Sequence, residues 1–429
     1  MKYTKIEDKD LRETLYVGEH ETGLGVFVLP KPGCVKKYAT FATKCGSINN
    51  CFVPLGESEP FSIPDGVAHF LEHKMFEQSD GTNAFDEFAK YGANANAYTS
   101  FDHTCYLFSC TDNFNKNFAH LLSYVQDPYF TDENVSKEQG IIGQEIRMYD
   151  DDGQWVVMFN LVKALYHNNP VRIDIAGTVE SISKINKDIL YKCYNTYYNP
   201  SNMVVCVVGD VDVDEVFKIV DEKILKDRPS GNVKNIFADE PKSIKQDYIE
   251  AKASVSLPLF DIGFKDNYLK TGDEILKRET AVELISRLLV GRSSKLFQTM
   301  YESGLVNDTF GTDNSTEPQF ACAAIGGESE NPQEVKRLLL KEIENRRKNG
   351  FSDDEFMRVK KAFYGSYLRA FNNVETVGNM ITRYILNGVN IFSFKKIYDS
   401  INSDYITEVF DEIFREENMA LSVVFPSDK

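Results

Sequence analysis

Histidine is scarce in this chain. Six occur among 429 residues, at positions 20, 69, 73, 103, 120 and 167, and none follows His167. Any imidazole-bound metal must therefore sit in the first half. Cysteine offers no framework either: eight thiols at 34, 45, 51, 105, 110, 193, 206 and 322 include no Cys-x-x-Cys pair. That scatter reads as reduced, partly buried thiols and argues against a purely structural zinc site, which is usually closed and cysteine-rich. Basic residues are in deficit, with 48 Lys and Arg against 65 Asp and Glu and a formal net charge of −17. Such a surface repels phosphate, so no nucleic acid partner is expected. Met1 to Asp10 carries no apolar signal segment, and no window reaches the length of a membrane span. The expected location is cytoplasmic, with no membrane partner.

Two of the scarce histidines stand together. In His69-Phe70-Leu71-Glu72-His73 the imidazoles are four apart, so on a helix they share a face and can reach one ion, with Glu72 on the same side. Imidazole and carboxylate suit zinc, whose hydrolytic sites keep a position open for water. Bound metal acidifies that water, and a neighbouring carboxylate takes the proton. The order His-x-x-Glu-His is the inverzincin signature. His20, His103, His120 and His167 lack ligand spacing and read as structural. His120 lies off the apolar stripe of its helix and is expected to be solvated. Manganese or cobalt would also fit these ligand types.

A third ligand is offered by the stretch from Thr131 to Asp150, where Thr131 is a candidate N-cap and Asp132 and Glu133 fill the first turn. Glu138, Ile141, Ile142 and Glu145 then recur at helical spacing, so two carboxylates share a stripe with two isoleucines. Buried carboxylates need a cation or full hydrogen bonding. Zinc on Glu145, with Glu138 behind it, meets that need; a solvated carboxylate face is the other possibility. From Ala93 to Cys110, aromatic, β-branched and small polar residues alternate as in a strand with one open face, although a core strand fits the residues equally well.

The length calls for two domains of about 200 residues each. A repeat supports them: Ile185-Asn-Lys-Asp188 recurs as Ile401-Asn-Ser-Asp404, and the same offset of 216 brings Asn202-Met203 onto Asn418-Met419. Apolar strands follow each, at Val204 to Val208 and Leu421 to Phe425. A second offset, 221, sets Thr131-Asp-Glu against Ser352-Asp-Asp and puts Ser366 opposite Glu145. The expected division is 1–226, a linker 227–246 broken by Pro229, Gly231 and Pro241, and 247–429 without metal ligands. A single strand is expected over Val255 to Phe264, and helices over Val67 to Phe76, Asp132 to Tyr149 and Asp353 to Phe371. Strand runs separated by paired helices indicate an α+β class: two homologous domains, each an antiparallel-rich sheet covered by helices.

On these residues the chain resembles the insulinase (pitrilysin) family of zinc peptidases, in its branch of half-length, processing-peptidase-like subunits. The family pattern is His-x-x-Glu-His followed well downstream by a ligand glutamate with another glutamate seven positions before it; His69, Glu72, His73, Glu138 and Glu145 match it. The run Asp65 to Glu77 resembles the family's active-site helix throughout. Asn96-Ala-Tyr-Thr-Ser100 resembles its substrate-binding edge strand, and Ile175-Ala-Gly-Thr178 and Tyr198-Asn-Pro-Ser-Asn202 extend the likeness. The resemblance implies one zinc per chain on His69, His73 and Glu145, catalysis by Glu72 with Glu138, and an extended peptide held at Asn96, Ala97, Tyr98 and Thr99.

One departure matters. The family's catalytic assemblies draw an arginine and a tyrosine from a supporting domain to steady the substrate carbonyl. The matching stretch here, Met300-Tyr-Glu-Ser-Gly-Leu-Val-Asn307, has Tyr301 and Asn307 in those places. The resemblance therefore implies either a dimer, preferably with a related subunit carrying the missing pair, or a subunit that is not itself catalytic.

Overall fold

The computed structural model describes residues 1–427 and comprises two α+β units, each built on its own sheet. The first sheet has seven strands in the order Tyr3–Asp8, Glu13–Glu19, Gly25–Pro30, Met203–Gly209, Lys37–Thr43, Thr104–Cys110 and Asn94–Thr99. Gly25–Pro30 and Met203–Gly209 pair in parallel, and the remaining neighbours are antiparallel. Met203–Gly209, an almost unbroken apolar run, is buried along its whole length, as a central strand covered on both faces should be. Helix Val67–Lys74 packs on Asn94–Thr99 and Thr104–Cys110. Its Phe70 and Leu71 join Phe41, Tyr106 and Phe118 in one cluster. Two of the buried tyrosine tips satisfy each other, Tyr106 and Tyr198 sharing a 2.8 Å hydrogen bond.

The second sheet runs Tyr248–Ala253, Met419–Pro426, Leu259–Asp266, Ala321–Glu328 and Gly311–Thr312. The strand expected over Val255 to Phe264 forms only from Leu259, and Tyr248–Ala253 is a separate strand before a break. Pro258 explains the break, since it offers no ladder N–H and restricts the residue before it.

Both sequence repeats are repeats of structure. Helix Lys187–Tyr197 and strand Met203–Gly209 reappear as Ser403–Ile413 and Met419–Pro426. Likewise Asp132–Asp150 and Gly153–Leu165 reappear as Asp353–Ala370 and Val374–Leu386.

The division of the chain departs from the contiguous one expected from the sequence. One unit is Met1–Ile146, Asp174–Phe237 and Leu368–Leu386; the other is Arg147–Ile173, Ala238–Tyr367 and Asn387–Lys429. The cause is one helix from each repeat. Gly153–Leu165 packs on Leu259–Asp266 and Met419–Pro426, and Val374–Leu386 packs on Lys37–Thr43 and Met203–Gly209. The second contact is specific: Tyr38 donates to Asn379 at 2.7 Å, and the hydroxyls of Thr40 and Thr382 meet at 2.7 Å. Within the stretch expected as linker, Lys234–Asn235 pairs with Cys51–Val53.

The start of helix Val67–Lys74 depends on a close approach of two backbone segments. Gly66 has φ +93, and a Cβ there would lie 2.4 Å from the carbonyl oxygen of Ala176. Gly177, φ +76, meets the Asp65 carbonyl oxygen at 2.5 Å in the same way. Ser181 closes the junction by donating to that carbonyl at 2.9 Å. The Ile175-Ala-Gly-Thr178 segment is thus a backbone clamp on the helix N-terminus. Gly66→Ala, which adds both left-handed strain and a backbone clash, is expected to destabilise by about 2–4 kcal/mol. Urea denaturation should show a lower midpoint at unchanged slope.

In the second sheet, burial and the nearby Asp313 push the Asp261 carboxyl up to about 7. Because the folded value exceeds the unfolded one, this group's stabilisation is complete below about pH 4 and is lost as pH rises through about 7. The expected loss is at most about 4 kcal/mol over that window. Asp261→Asn should flatten this part of the stability–pH profile, measured by urea denaturation from pH 4 to 8.

Candidate metal centre

Helix Val67–Lys74 is anchored by Val67, Ala68, Phe70 and Leu71, which face the core. That leaves His69 and His73 on the other side, their ring centroids 4.6 Å apart. Glu145 comes from the long helix Asp132–Asp150, whose first turn is acidic as expected and whose Thr131 hydroxyl caps Asn134 N–H at 3.1 Å. Ile142 and Ile146 of that helix are buried in the core. Ile141, expected in the apolar stripe, is exposed instead.

Nε2 of His69 lies 3.7 Å from Glu145 Oε1, and Nε2 of His73 lies 3.4 Å from Glu145 Oε2. One ligand atom from each of the three residues falls within 4.8 Å of the others. These separations suit a metal better than direct hydrogen bonds. Ligands about 2.0–2.2 Å from a tetrahedral zinc stand roughly 3.3–3.6 Å apart. The donor chemistry agrees. Burial, reinforced by His73, lowers His69 to about 3, so its ring is neutral and carries a lone pair. Burial alone would lower His73 too, but the hydrogen bond to Glu138 and the charges of Glu72, Glu138 and Glu145 outweigh it and raise the net value. Among the described residues, the buried Nδ1 of His69 has no hydrogen-bond partner.

Around these three, other side chains are held in set positions. His73 Nδ1 lies 3.0 Å from Glu138 Oε1, an arrangement that orients the ring and directs Nε2 toward Glu145. Glu72 is buried, and burial raises its pKa even though the Thr99 hydroxyl, donating to Oε2 at 2.7 Å, works against the rise. A cleft of about 520 Å³ opens beside them, lined among others by Glu72, His73, Phe76, Glu77, Asn96 and Glu138.

Asn94–Thr99 is the last strand of its sheet, paired along one side with Thr104–Cys110. Asn96 is exposed and lines the cleft; Ala97, Tyr98 and Thr99 are half-buried. The Ala97 N–H is held by its neighbour's Asn96 Oδ1 at 2.9 Å. Tyr98 lies 3.3 Å from His103 Nε2, and His103 is bonded to Asp102 at 2.6 Å. Of the four edge residues, Asn96 and Thr99 thus meet the metal-site cluster, Asn96 through the cleft and Thr99 through Glu72.

Among the described residues none of the other histidines joins a group that could hold a metal ion, and one expectation is corrected. His120, expected in solvent, is half-buried: its ring packs edge-on against Phe88 at 4.7 Å and Nε2 meets the Ala84 carbonyl at 2.9 Å. All eight cysteines are free thiols. Tyr301 lies exposed on helix Lys295–Glu302, and Asn307 donates to Glu328 at 2.7 Å. Lys74, to which the sequence alone assigns no role, has a side chain fully buried against Glu77 and Glu138. A lysine directly after the second histidine, followed by Met75 and Phe76, is the signal the sequence offers.

Residues 58–179 match the insulinase family (peptidase family M16), and residues 184–363 match the peptidase M16 inactive domain. The chain is 41% identical over 430 residues to the “uncharacterized zinc protease YmfH” of Bacillus subtilis (strain 168), an alignment spanning 98% of this chain and 99% of that protein. The structure of an M16-like peptidase from Alicyclobacillus acidocaldarius superposes with a TM-score of 0.94 at 32% identity, covering 99% of this chain and 100% of the other. Pitrilysin shares the fold at a TM-score of 0.76 and 15% identity, with all of this chain matching 47% of that one. The chain belongs to the insulinase family of peptidases, M16, as a half-size unit of the family.

Proposed function

We propose that this chain is a zinc-dependent endopeptidase that cleaves short or unfolded peptides, with His69, His73 and Glu145 as the metal ligands and Glu72 as general base. The observation that carries the reading is the convergence of one ligand atom each from His69, His73 and Glu145 within 4.8 Å, next to the buried carboxylate of Glu72 on the histidine helix. Zinc held there would supply Lewis acidity and a water acidified toward neutral pH.

The remaining tasks fall to the chain's own side chains. Burial makes Glu72 a stronger proton acceptor than an ordinary glutamate. Thr99 holds one of its oxygens, which leaves the other to take the proton from water and pass it to the leaving amine. Glu138 keeps the His73 ring in register. At the open edge of Asn94–Thr99, an extended peptide would add as a further strand, competing with Asn96 for the Ala97 N–H. Backbone pairing of that kind is tolerant of sequence and suits unfolded substrates.

A second reading, a subunit that needs a partner or serves a non-catalytic role, is favoured by Tyr301 and Asn307. Asn307 spends its side chain on Glu328 and Thr309, and neither residue brings a guanidinium to a developing oxyanion. Within the endopeptidase reading we therefore favour a dimer with a related subunit that carries an arginine and a tyrosine, with a homodimer as the fallback. The proposed location is cytoplasmic; among the described residues no helix is long and apolar enough to cross a membrane.

The test is hydrolysis of a quenched peptide mixture by the purified, zinc-loaded chain. Glu72→Gln should lower turnover by about 10²–10⁴-fold while zinc stays bound; undiminished turnover would remove Glu72 from its role. Cleavage by the chain alone would show that no related subunit is needed. Silence from a folded, zinc-bound chain, reversed by a subunit co-purifying from the native cell, is the outcome expected of the heterodimer.

A further inference from the structure

Lys74 follows the second histidine directly, and its side chain has no exposed surface. Its ammonium bonds Glu77 and lies 3.9 Å from Glu138 Oε2. The other oxygen of Glu138 lies 3.0 Å from His73 Nδ1, and His73 Nε2 faces Glu145 at 3.4 Å. A chain of contacts therefore runs from Glu77 through Lys74 and Glu138 to a proposed ligand ring. Lys74 itself does not line the cleft.

A buried ammonium is strongly disfavoured unless its partners hold it closely, and an apolar side chain of similar length would fill the same space. Glu77 depends on this cation less, since its side chain is 36% exposed and water serves it in part. Glu138, at 13%, is much drier, and its carboxylate must stay turned toward His73 to be of use. Its two oxygens divide the work: Oε1 serves the imidazole, and Oε2 faces the ammonium.

Building on the zinc reading above, we propose that Lys74 is a positioning residue: it pins Glu138 so that Oε1 accepts from His73 Nδ1–H, which fixes the tautomer that presents the Nε2 lone pair to the metal. Its effect on the metal passes entirely through Glu138.

The experiment measures zinc affinity of the purified full chain by competition with a chromophoric chelator. It compares the unaltered chain with Lys74→Met, Glu138→Gln, the two combined, and Lys74→Met with Glu77→Gln. Far-UV circular dichroism and thermal melting of the metal-free proteins report the fold separately. Lys74→Met should weaken zinc binding about 10–100-fold. In the Glu138→Gln background it should add less than about twofold, because both changes cut one path. Adding Glu77→Gln to Lys74→Met should restore melting, by removing the carboxylate left without its cation, yet leave zinc affinity low. Should the single Lys74→Met chain fail to fold, that double variant carries the comparison.

The proposal is overturned by zinc affinity within about twofold of the unaltered chain, by effects that multiply in the combined variant, or by zinc affinity that returns together with melting. Absence of zinc binding by the unaltered, folded chain would instead bring down the zinc reading itself, and this inference with it.

Discussion

Ionic side chains withdrawn from water must find partners, and that constraint organises the first unit around helix Val67–Lys74. Within two turns the helix carries two imidazoles, Glu72 and Lys74 into surroundings that reject lone charges. Each is answered from another element. Thr99 of the edge strand binds Glu72, Glu138 of the long helix binds His73 and approaches Lys74, and Glu77 binds Lys74. Glu145 faces both Nε2 atoms at separations that suit a divalent cation between them. A metal ion there would offset the Glu145 charge and take the neutral His69 ring as a ligand, with His73 joining as it gives up its proton.

This arrangement needs a rigid foundation, because ligand geometry is sensitive to small shifts in the backbone. The apolar side of the helix supplies part of it, through Phe70 and Leu71 in the core. The rest comes from the backbone clamp in which Gly66 and Gly177 let two chain segments approach more closely than any side chain would permit. The long helix bearing Glu138 and Glu145 is held by Ile142 in the core and by Gln139, which donates to the Ile185 carbonyl at 2.9 Å.

The duplicated architecture shows how one scaffold can serve two roles. The second unit repeats the helix–strand pairs of the first at the offsets visible in the sequence, and Ser366 stands where the repeat would place Glu145. With a serine there and no histidine after His167, the second copy has no potential metal-holding group of its own among the described residues. Each copy also contributes the helix after its long helix to the opposite unit. Neither unit is therefore a continuous stretch of chain.

Much of the candidate site was legible in the sequence because its chemistry is local. His69, Glu72 and His73 lie within one and a half helical turns, so spacing alone puts them on one side, and Glu138 and Glu145 share a stripe for the same reason. The scarcity of histidine elsewhere made the pair conspicuous, and the α+β class followed from alternating strand and helix periodicities. What tertiary structure alone decided are the matters that depend on which surfaces meet. Gly153–Leu165 and Val374–Leu386 are apolar enough to cover either sheet, and only packing assigns them. Hydrophobic periodicity reports that a surface will be buried, but not against what. For the same reason the sequence could not show that the hydroxyl of Thr99 meets Glu72, that His120 tucks under Phe88, or that Lys74 is buried: each outcome depends on residues distant in the chain, brought within a few ångströms by the fold.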